Sequence, residues 1–409
     1  MSSSQFEVVR DPLWNNIRLE PQALEVLDTP AVQRLRYVRQ LGHAFLVYPG
    51  ATHTRFEHAL GAYHLARRVV SELNIDAEEG RTIRLAALLH DIGHYPFSHA
   101  LEEAGLPHHE LLAARHLRGG ALAAVLERLG VPVEPLLALI QGTSASRLAG
   151  LISGSLDVDK LDYLSRDATM CGVPYGVIDV DRLLTSLTVT AGGVTLHAKG
   201  LAALESLLFA KYQMYRNVYW HHAVRSATAM FKRLVRRAIA AQRMSPDEIA
   251  VATDDGLSHE LQEHDPTGLA RALRERRLAK RALDIPATEL PAATANWPSR
   301  DPDLLQQVEE RLASELGLRA DQLFLDFPSK SDMFDVSMPG LGSLGLPRVA
   351  AELHRSAQRL RVFVMEPVEV PARTIVELVT WPAEQVRARL NSEKALLSVS
   401  AAGRGSAAS

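Results

Sequence analysis

The segment IRLAALLHDIGHYPFSHAL, residues 83–101, constrains the fold more than any other stretch of this chain. Its first half is apolar on nearly every side, as expected of a helix buried at the centre of a core. The run ends in His90–Asp91, and Gly93 and Pro96 then stop the helix. A buried polar group without a partner costs roughly 2–7 kcal/mol, and an ion more. The fold must therefore bring partners to this pair. Neighbouring helical residues point about 100° apart, so His90 and Asp91 can face one point only beside a helix end. That is where they stand.

Candidate partners lie far away in sequence. His58 sits in RFEHALG, inside the amphipathic stretch THTRFEHALGAYHLARRVVSEL. Asp159 sits in SLDVDKLDYLSRDA, which also has helical character. Two imidazoles and two carboxylates on three helices suit a divalent Mg, Mn, Fe or Zn ion and leave positions for water and substrate. Arg55 lies one turn before His58, and Lys160 is next to Asp159. Asp159, Tyr163 and either Arg166 or Asp167 recur at helical spacing on one face. A metal with lysine and arginine nearby can neutralise the oxygens of a polyphosphate. Taken singly, His58 reads as an ordinary helix histidine and Arg55 as a capping arginine; the ordered set makes them chemical.

The motifs RFEH, LLHDIGHYPFSHALE and DVDKLDYLSRD resemble those of HD-domain phosphohydrolases. More narrowly, they are similar to the deoxynucleoside triphosphate triphosphohydrolases that include the vertebrate antiviral enzyme and its bacterial relatives. The likeness runs from about Val8 to Arg225 and takes in LDTPAVQRLRYVRQLG and YPGATHTRFEHALG. By motif position it implies metal ligands His58, His90, Asp91 and Asp159. It implies His99 as the acid near the scissile bond, oriented by Glu102, with His94 and His109 near the α-phosphate. Arg55, Lys160, Tyr163 and Arg216 match phosphate contacts. Gln40 and Asp167 match readers of the sugar 3′-hydroxyl, and Leu41 a residue that leaves no room for a 2′-hydroxyl. Asp28, Gln33 and Arg36 match an activating nucleotide site. Two positions depart: Val224 stands where the vertebrate enzyme has a tyrosine against the sugar, and Arg10 replaces an activator-site asparagine.

The resemblance implies hydrolysis of a deoxynucleoside triphosphate to nucleoside and triphosphate, a GTP or dNTP activator, and a homo-oligomer such as a tetramer. An HD-type phosphodiesterase, an alarmone pyrophosphohydrolase and a nucleotide sensor without turnover stay open as alternatives.

The rest of the chain frames this core. The expected fold class is mainly α, a helical HD-domain core with a smaller C-terminal α+β region. FEVVRDPLWNNIRLEP alternates as a hairpin over residues 1–20, with Trp14–Asn16 as its turn. The helical core is expected over 21–245, with a helix break before Pro30, a helix start at Pro107, and helical character throughout 201–241. The α+β region is expected over 246–400, with a charged helix through Leu283 and strands in QLFLDF and LRVFVMEPVEV. A disordered tail is expected over 401–409. GVPYGVID reads as a turn shaping the site, and His221–His222 as packing or surface. The formal charge of −3 argues against non-specific nucleic-acid binding. A single cysteine, Cys171, fits a reducing cytoplasm, and no run is apolar enough for a membrane span or a signal peptide.

Overall fold

The computed structural model describes residues 6–291, 294–328 and 346–397; the tail 401–409 lies outside them. The chain is mainly α-helical, with small antiparallel sheets. Strands β1 (Glu7–Asp11) and β2 (Asn15–Leu19) form the expected hairpin. Its turn is Pro12–Trp14 rather than Trp14–Asn16, because the Asp11 carboxylate accepts the N–H groups of Leu13 and Trp14 at 2.9 and 2.7 Å. Asn15 is thereby left to pair with Asp11 in the left-handed region (φ 61°), which Asn tolerates. Ile17 and Leu19 are fully buried against the helical core.

The helices α1 (Pro21–Leu27) and α2 (Pro30–Arg34) break at the expected place. Then come α3 (Arg55–Glu72) and α4 (Ala77–Leu89). Thr54 and Glu57 form a capping box on α3, and the Asp76 carboxylate caps α4, so both start where the sequence offers an N-cap. Helix α5 (His109–Leu117) begins two residues after Pro107, because His108 is the extended N-cap. Helices α6 (Gly120–Arg128), α7 (Val133–Ile140) and α8 (Gly150–Ser153) lead to α9 (Val158–Cys171). Gly61 is what lets α3 and α9 approach: a Cβ there would stand 1.8 Å from an Asp162 carboxylate oxygen.

Helix α10 (Val180–Leu184) and the hairpin β3 (Leu187–Thr190) with β4 (Gly193–Leu196) precede α11 (Leu201–Met214) and α12 (His222–Ala240). The segment 201–241 is not helical throughout. It widens into a π-helical turn at Tyr215–Tyr219 and bends at Trp220–His221 before α12. Helices α13 (Pro246–Val251), α14 (Asp254–Glu263) and α15 (Leu269–Arg274) pack with α12 in a second apolar cluster.

The C-terminal region is built on a sheet ordered β5-β7-β6. It comprises β5 (Lys280–Pro286), α16 (Trp297–Arg300), α17 (Pro302–Glu315), β6 (Leu323–Asp326), α18 (Leu346–Ala357) and β7 (Arg359–Val364). Helices α19 (Ala372–Leu378) and α20 (Ala383–Leu390) follow. The expected charged helix does not reach Leu283. It ends at Arg274, Arg276 turns left-handed (φ 56°), and Lys280–Pro286 pair with β7 instead. The central strand β7 alternates as a strand should: Leu360, Val362 and Val364 face α17 and α19, whereas Phe363 meets the α12 cluster. One sheet thus ties the C-terminal region to the helices carrying the site.

Candidate functional site

The His–Asp pair lies where the sequence put it, at the end of α4. His90 is the C-cap of that helix, and its Nδ1–H donates to the Ala87 carbonyl at 2.9 Å. On α3, the fully buried His58 donates Nδ1–H to Asp162 at 2.8 Å. Both rings therefore turn Nε2 to a common point, and the two Nε2 atoms are 3.2 Å apart. Asp159 Oδ1 stands 3.0 Å from His58 Nε2 and 3.7 Å from His90 Nε2. Asp91 Oδ1 is 3.4 Å from His90 Nε2. Metal–ligand bonds of about 2.0–2.2 Å place neighbouring donors about 3–3.5 Å apart, so these spacings fit one divalent ion. Two facing imidazole acceptors also need a cation between them. Burial alone would lower the His58 pKa, but hydrogen bonds to Asp159 and Asp162 carry it up to about 10. Burial would raise the Asp159 carboxyl, but the two histidines keep it well below the usual range.

Asp162 escaped the sequence reading. It is fully buried and accepts from His58, from Trp14 Nε1 at 2.5 Å and from Arg166 through two bonds of 2.9 Å. Arg166 in turn donates to Asp11 at 2.8 Å. Arg166 is thus a buried structural cation, and Asp167 is the member of that pair on the site side. The available signal was the spacing: Asp162 lies one turn after Asp159 and one turn before Arg166.

A second group of histidines sits against the first. Gly93 lets α5 close on the loop, since a Cβ there would be 2.2 Å from the His109 carbonyl oxygen. Glu102 then joins two rings, accepting from His99 Nδ1 at 2.9 Å and from His109 Nδ1 at 2.6 Å. Burial would raise this carboxyl, but the two histidines hold it far below the usual range. Glu102 thus reaches His99 at ordinary hydrogen-bond distance. His94 is fully buried, stacks on His109 (centroids 3.7 Å) and meets His99 edge-on at 4.7 Å. Burial, with Arg55 nearby, keeps His94 well below the ordinary imidazole range. His99 itself is about half exposed, 47% for its side chain.

Two consecutive non-glycine residues in this loop, Phe97 and Ser98, are left-handed (φ 57° and 63°). Such conformations cost about 1–3 kcal/mol each and persist only where the surroundings fix them. Here Asp254 Oδ1 accepts the Phe97 N–H at 2.9 Å, Ser98 Oγ donates to the Gln40 carbonyl at 2.8 Å, and Arg55 holds Ser98. Arg55 also pairs with Asp91 Oδ2 at 2.5 Å, which keeps it at the site. Arg34 braces the loop from below, donating to the carbonyls of Ile92 and His94.

The remaining expected contacts divide. Lys160 is close by but tied to Asp157 and the Gly154 carbonyl at 2.6 and 2.8 Å. Asp157 caps α9. Tyr163 lies edge-on to His58 at 6.4 Å. Asp167 accepts from His53 Nε2 at 2.8 Å and from Tyr219 at 2.7 Å. Gln40 is buried with no hydrogen bond on Oε1 among the described residues. Leu41 packs with Ala44, Ala51 and Val224. Arg216 faces elsewhere: it is exposed, donates to the Tyr212 hydroxyl at 2.8 Å and lines a cavity with His221 and His222. Asp28, after α1, and Arg36, after α2, are exposed and Gln33 is half-buried; Arg36 donates to Gln33 at 2.7 Å and covers the Phe56 ring.

Residues 55–167, the span holding His58, His90, Asp91 and Asp159, match the family model of the HD domain. The chain is an HD-domain protein. Residues 178–339 match the HD-associated region that follows such domains. The HD-domain chain is 38% identical to an uncharacterized protein of Methanocaldococcus jannaschii over 257 residues, 62% of this chain and 54% of that one. It is 32% identical to human deoxynucleoside triphosphate triphosphohydrolase SAMHD1 over 211 residues, 41% of this chain and 34% of the human protein. It spans about half the length or less of these curated relatives. A solved structure of a hypothetical protein from Aquifex aeolicus superposes with TM-score 0.71 at 28% identity, covering 94% of this chain and all of that one. Among the described residues, no helix of the HD-domain protein is long and apolar enough to cross a membrane.

Proposed function

We propose that this HD-domain protein hydrolyses deoxynucleoside triphosphates to nucleoside and triphosphate. The observation that carries the reading is the adjacency of two built groups: a metal-capable His58–His90–Asp159 corner and a histidine, His99, oriented by Glu102. The printed activity of the human relative supports the choice of substrate.

A divalent ion held by His58, His90, Asp91 and Asp159 would supply a Lewis acid and lower the pKa of a water toward about 7. Water adds to the α-phosphorus and the bond to the nucleoside 5′-oxygen breaks. His99 gives that oxygen its proton, a role worth roughly 10²–10⁴-fold. Glu102 fixes which nitrogen of His99 carries the proton to be given: with Nδ1–H committed to the carboxylate, Nε2 does the acid–base work. His94, kept neutral by burial, and His109 wall the α-phosphate side. Arg55, Lys160 and Tyr163 take phosphate oxygens. The unmade acceptor of Gln40 and the Asp167 carboxylate suit the sugar 3′-hydroxyl, with Leu41 closing the 2′ side. Arg216 would reach the phosphate chain by turning from Tyr212.

Asp28, Gln33 and Arg36 form the activator seat in this reading, and a homo-oligomer, a tetramer in particular, completes it. The test is chromatography of products from each dNTP with Mg, Mn or Fe, with and without GTP. Nucleoside plus triphosphate is the expected outcome. Monophosphate plus pyrophosphate, or turnover of cyclic dinucleotides or alarmones alone, would replace the reading. A metal-loaded chain inert to all nucleotides would make it a sensor.

A further inference from the structure

The loop over residues 93–108, between α4 and α5, carries His94, His99 and Glu102 and is held from two directions. Arg34, Gln40 and Arg55 hold its first half, as described above. Its second half is held by residues of the span 178–339, the HD-associated region. Arg225, Lys232 and Arg236 recur at helical spacing on α12 and meet the loop at two consecutive residues. Arg225 donates to Glu103 through two bonds of 2.9 and 2.8 Å, and Lys232 adds one of 2.9 Å. Arg236 donates to the Ala104 carbonyl at 2.8 Å. Gly105, at φ 97°, lets α17 close on the loop, since a Cβ there would stand 2.9 Å from Pro302.

Both arginines reach past the loop. Arg225 turns its other edge to Asp326 on β6, through bonds of 2.6–3.2 Å, and both side chains are buried. Arg236 donates to Asp303 at 2.5 Å and to Gln306 at 2.8 Å, both on α17. Each guanidinium is thus a bridge, with one end beside Glu102 and the other on the C-terminal region. A planar fork of five donors makes such a bridge stiff, and a lysine could not span both ends. The metal corner is built differently. Among the described residues, the side-chain hydrogen bonds of His58, His90 and Asp91 come from residues 55–162 alone. The C-terminal region therefore braces the acid end of the site and not the metal end. Glu102 orients His99 through one bond of 2.9 Å. A misplacement of about 1 Å, caused far from the chemistry, can cost on the order of 10²-fold in rate.

We infer that Arg225 and Arg236 are positioning residues: they fix Glu102, and through it His99, against β6 and α17, so that the C-terminal region serves the acid–base group and not the metal. The kinetic consequence rests on the hydrolysis proposed above; the placing of His99 does not. The test uses the full chain, loaded with Mg and carrying Arg236→Met, because removing Arg225 would leave Asp326 buried without its main partner. The kcat for a dNTP should fall about 10–100-fold while KM and metal content stay at the wild-type level. In ¹⁵N-histidine spectra recorded without nucleotide, His99 should lose the Nδ1–H form that Glu102 imposes. Arg236→Lys, which can still reach the Ala104 carbonyl, should restore part of both. If Arg236→Met does not fold, Asp303→Ala with Gln306→Ala cuts the same bridge at its far end, where the Asp303 side chain is 78% exposed, and should give the same pattern. Unchanged His99 signals, or KM and metal content lost together with kcat, would overturn the inference. A wild-type chain inert to every dNTP would sink the hydrolysis reading alone, and the His99 spectra would still decide this one.

Discussion

The two histidine clusters of the HD core touch each other and use the same side chains for opposite ends. In one, His58 and His90 each spend Nδ1–H on a fixed acceptor and aim Nε2 at a shared point 3.2 Å across. In the other, His99 and His109 spend Nδ1–H on one carboxylate, and His94 is stacked with no hydrogen bond on either ring nitrogen among the described residues. The first arrangement concentrates lone pairs, which suits a cation. The second concentrates ring edges and one oriented proton, which suits acid–base work. The role of a histidine here is set by what its other nitrogen touches.

The largest effect should come from breaking the lone-pair corner. His90→Ala should abolish metal retention and cut dNTP turnover more than about 10³-fold, read by metal analysis beside product chromatography. Turnover with normal metal content would move the metal elsewhere. His99→Ala should cost about 10²–10⁴-fold in kcat while metal content stays at the wild-type level. If metal is lost as well, the two clusters are one site and the contrast fails. Next, Asp162→Asn leaves every direct ligand in place but disturbs the proton on His58. It should weaken metal affinity about 10–100-fold, measured by competition with a chelating dye.

The smallest effect sharpens the comparison with a third kind of histidine. His43 is buried, stacked on Phe97 at 4.4 Å and tilted against Phe231. Burial, with Arg39 nearby, pushes its pKa down to about 3. Its folded-state value lies below its unfolded one, so the neutral ring stabilises above about pH 6.5. That contribution is lost as pH falls from about 6.5 toward 3, about 2 kcal/mol of it by pH 5. His43→Phe should flatten the dependence of unfolding free energy on pH over pH 6.5 to 5 by that amount. An unchanged slope in urea titrations would mean that His43 is solvated or paired.

The comparison also shows what a sequence can carry. Leu85–Leu89, the His–Asp pair and the stop at Gly93 were legible because each is local: an apolar run, a helix end, a breaker. His58 and Asp159 were legible through spacing and family likeness. Asp162 was not, because Trp14, which donates to it, lies 148 positions away on a hairpin whose turn was misplaced by two residues, and Asp11 of the same hairpin holds the neighbouring Arg166. The left-handed Phe97–Ser98 pair carries no glycine to announce it; only the Asp254 and Gln40 contacts make it possible. Lys280–Leu283 read as helix because charges and leucines continue the preceding pattern, and only pairing with β7 makes them a strand. Arg361 looked like one more charge in LRVFVMEPVEV until burial left its Nε and Nη1 without hydrogen bonds among the described residues.

The central claim is that water attacks at the α-phosphorus between these two clusters. It is tested most directly by hydrolysing a dNTP in ¹⁸O-water with the metal-loaded enzyme and weighing the products. Attack at the α-phosphorus predicts one ¹⁸O in the released triphosphate and none in the nucleoside. Label in the nucleoside, or release of labelled monophosphate or pyrophosphate, would contradict it.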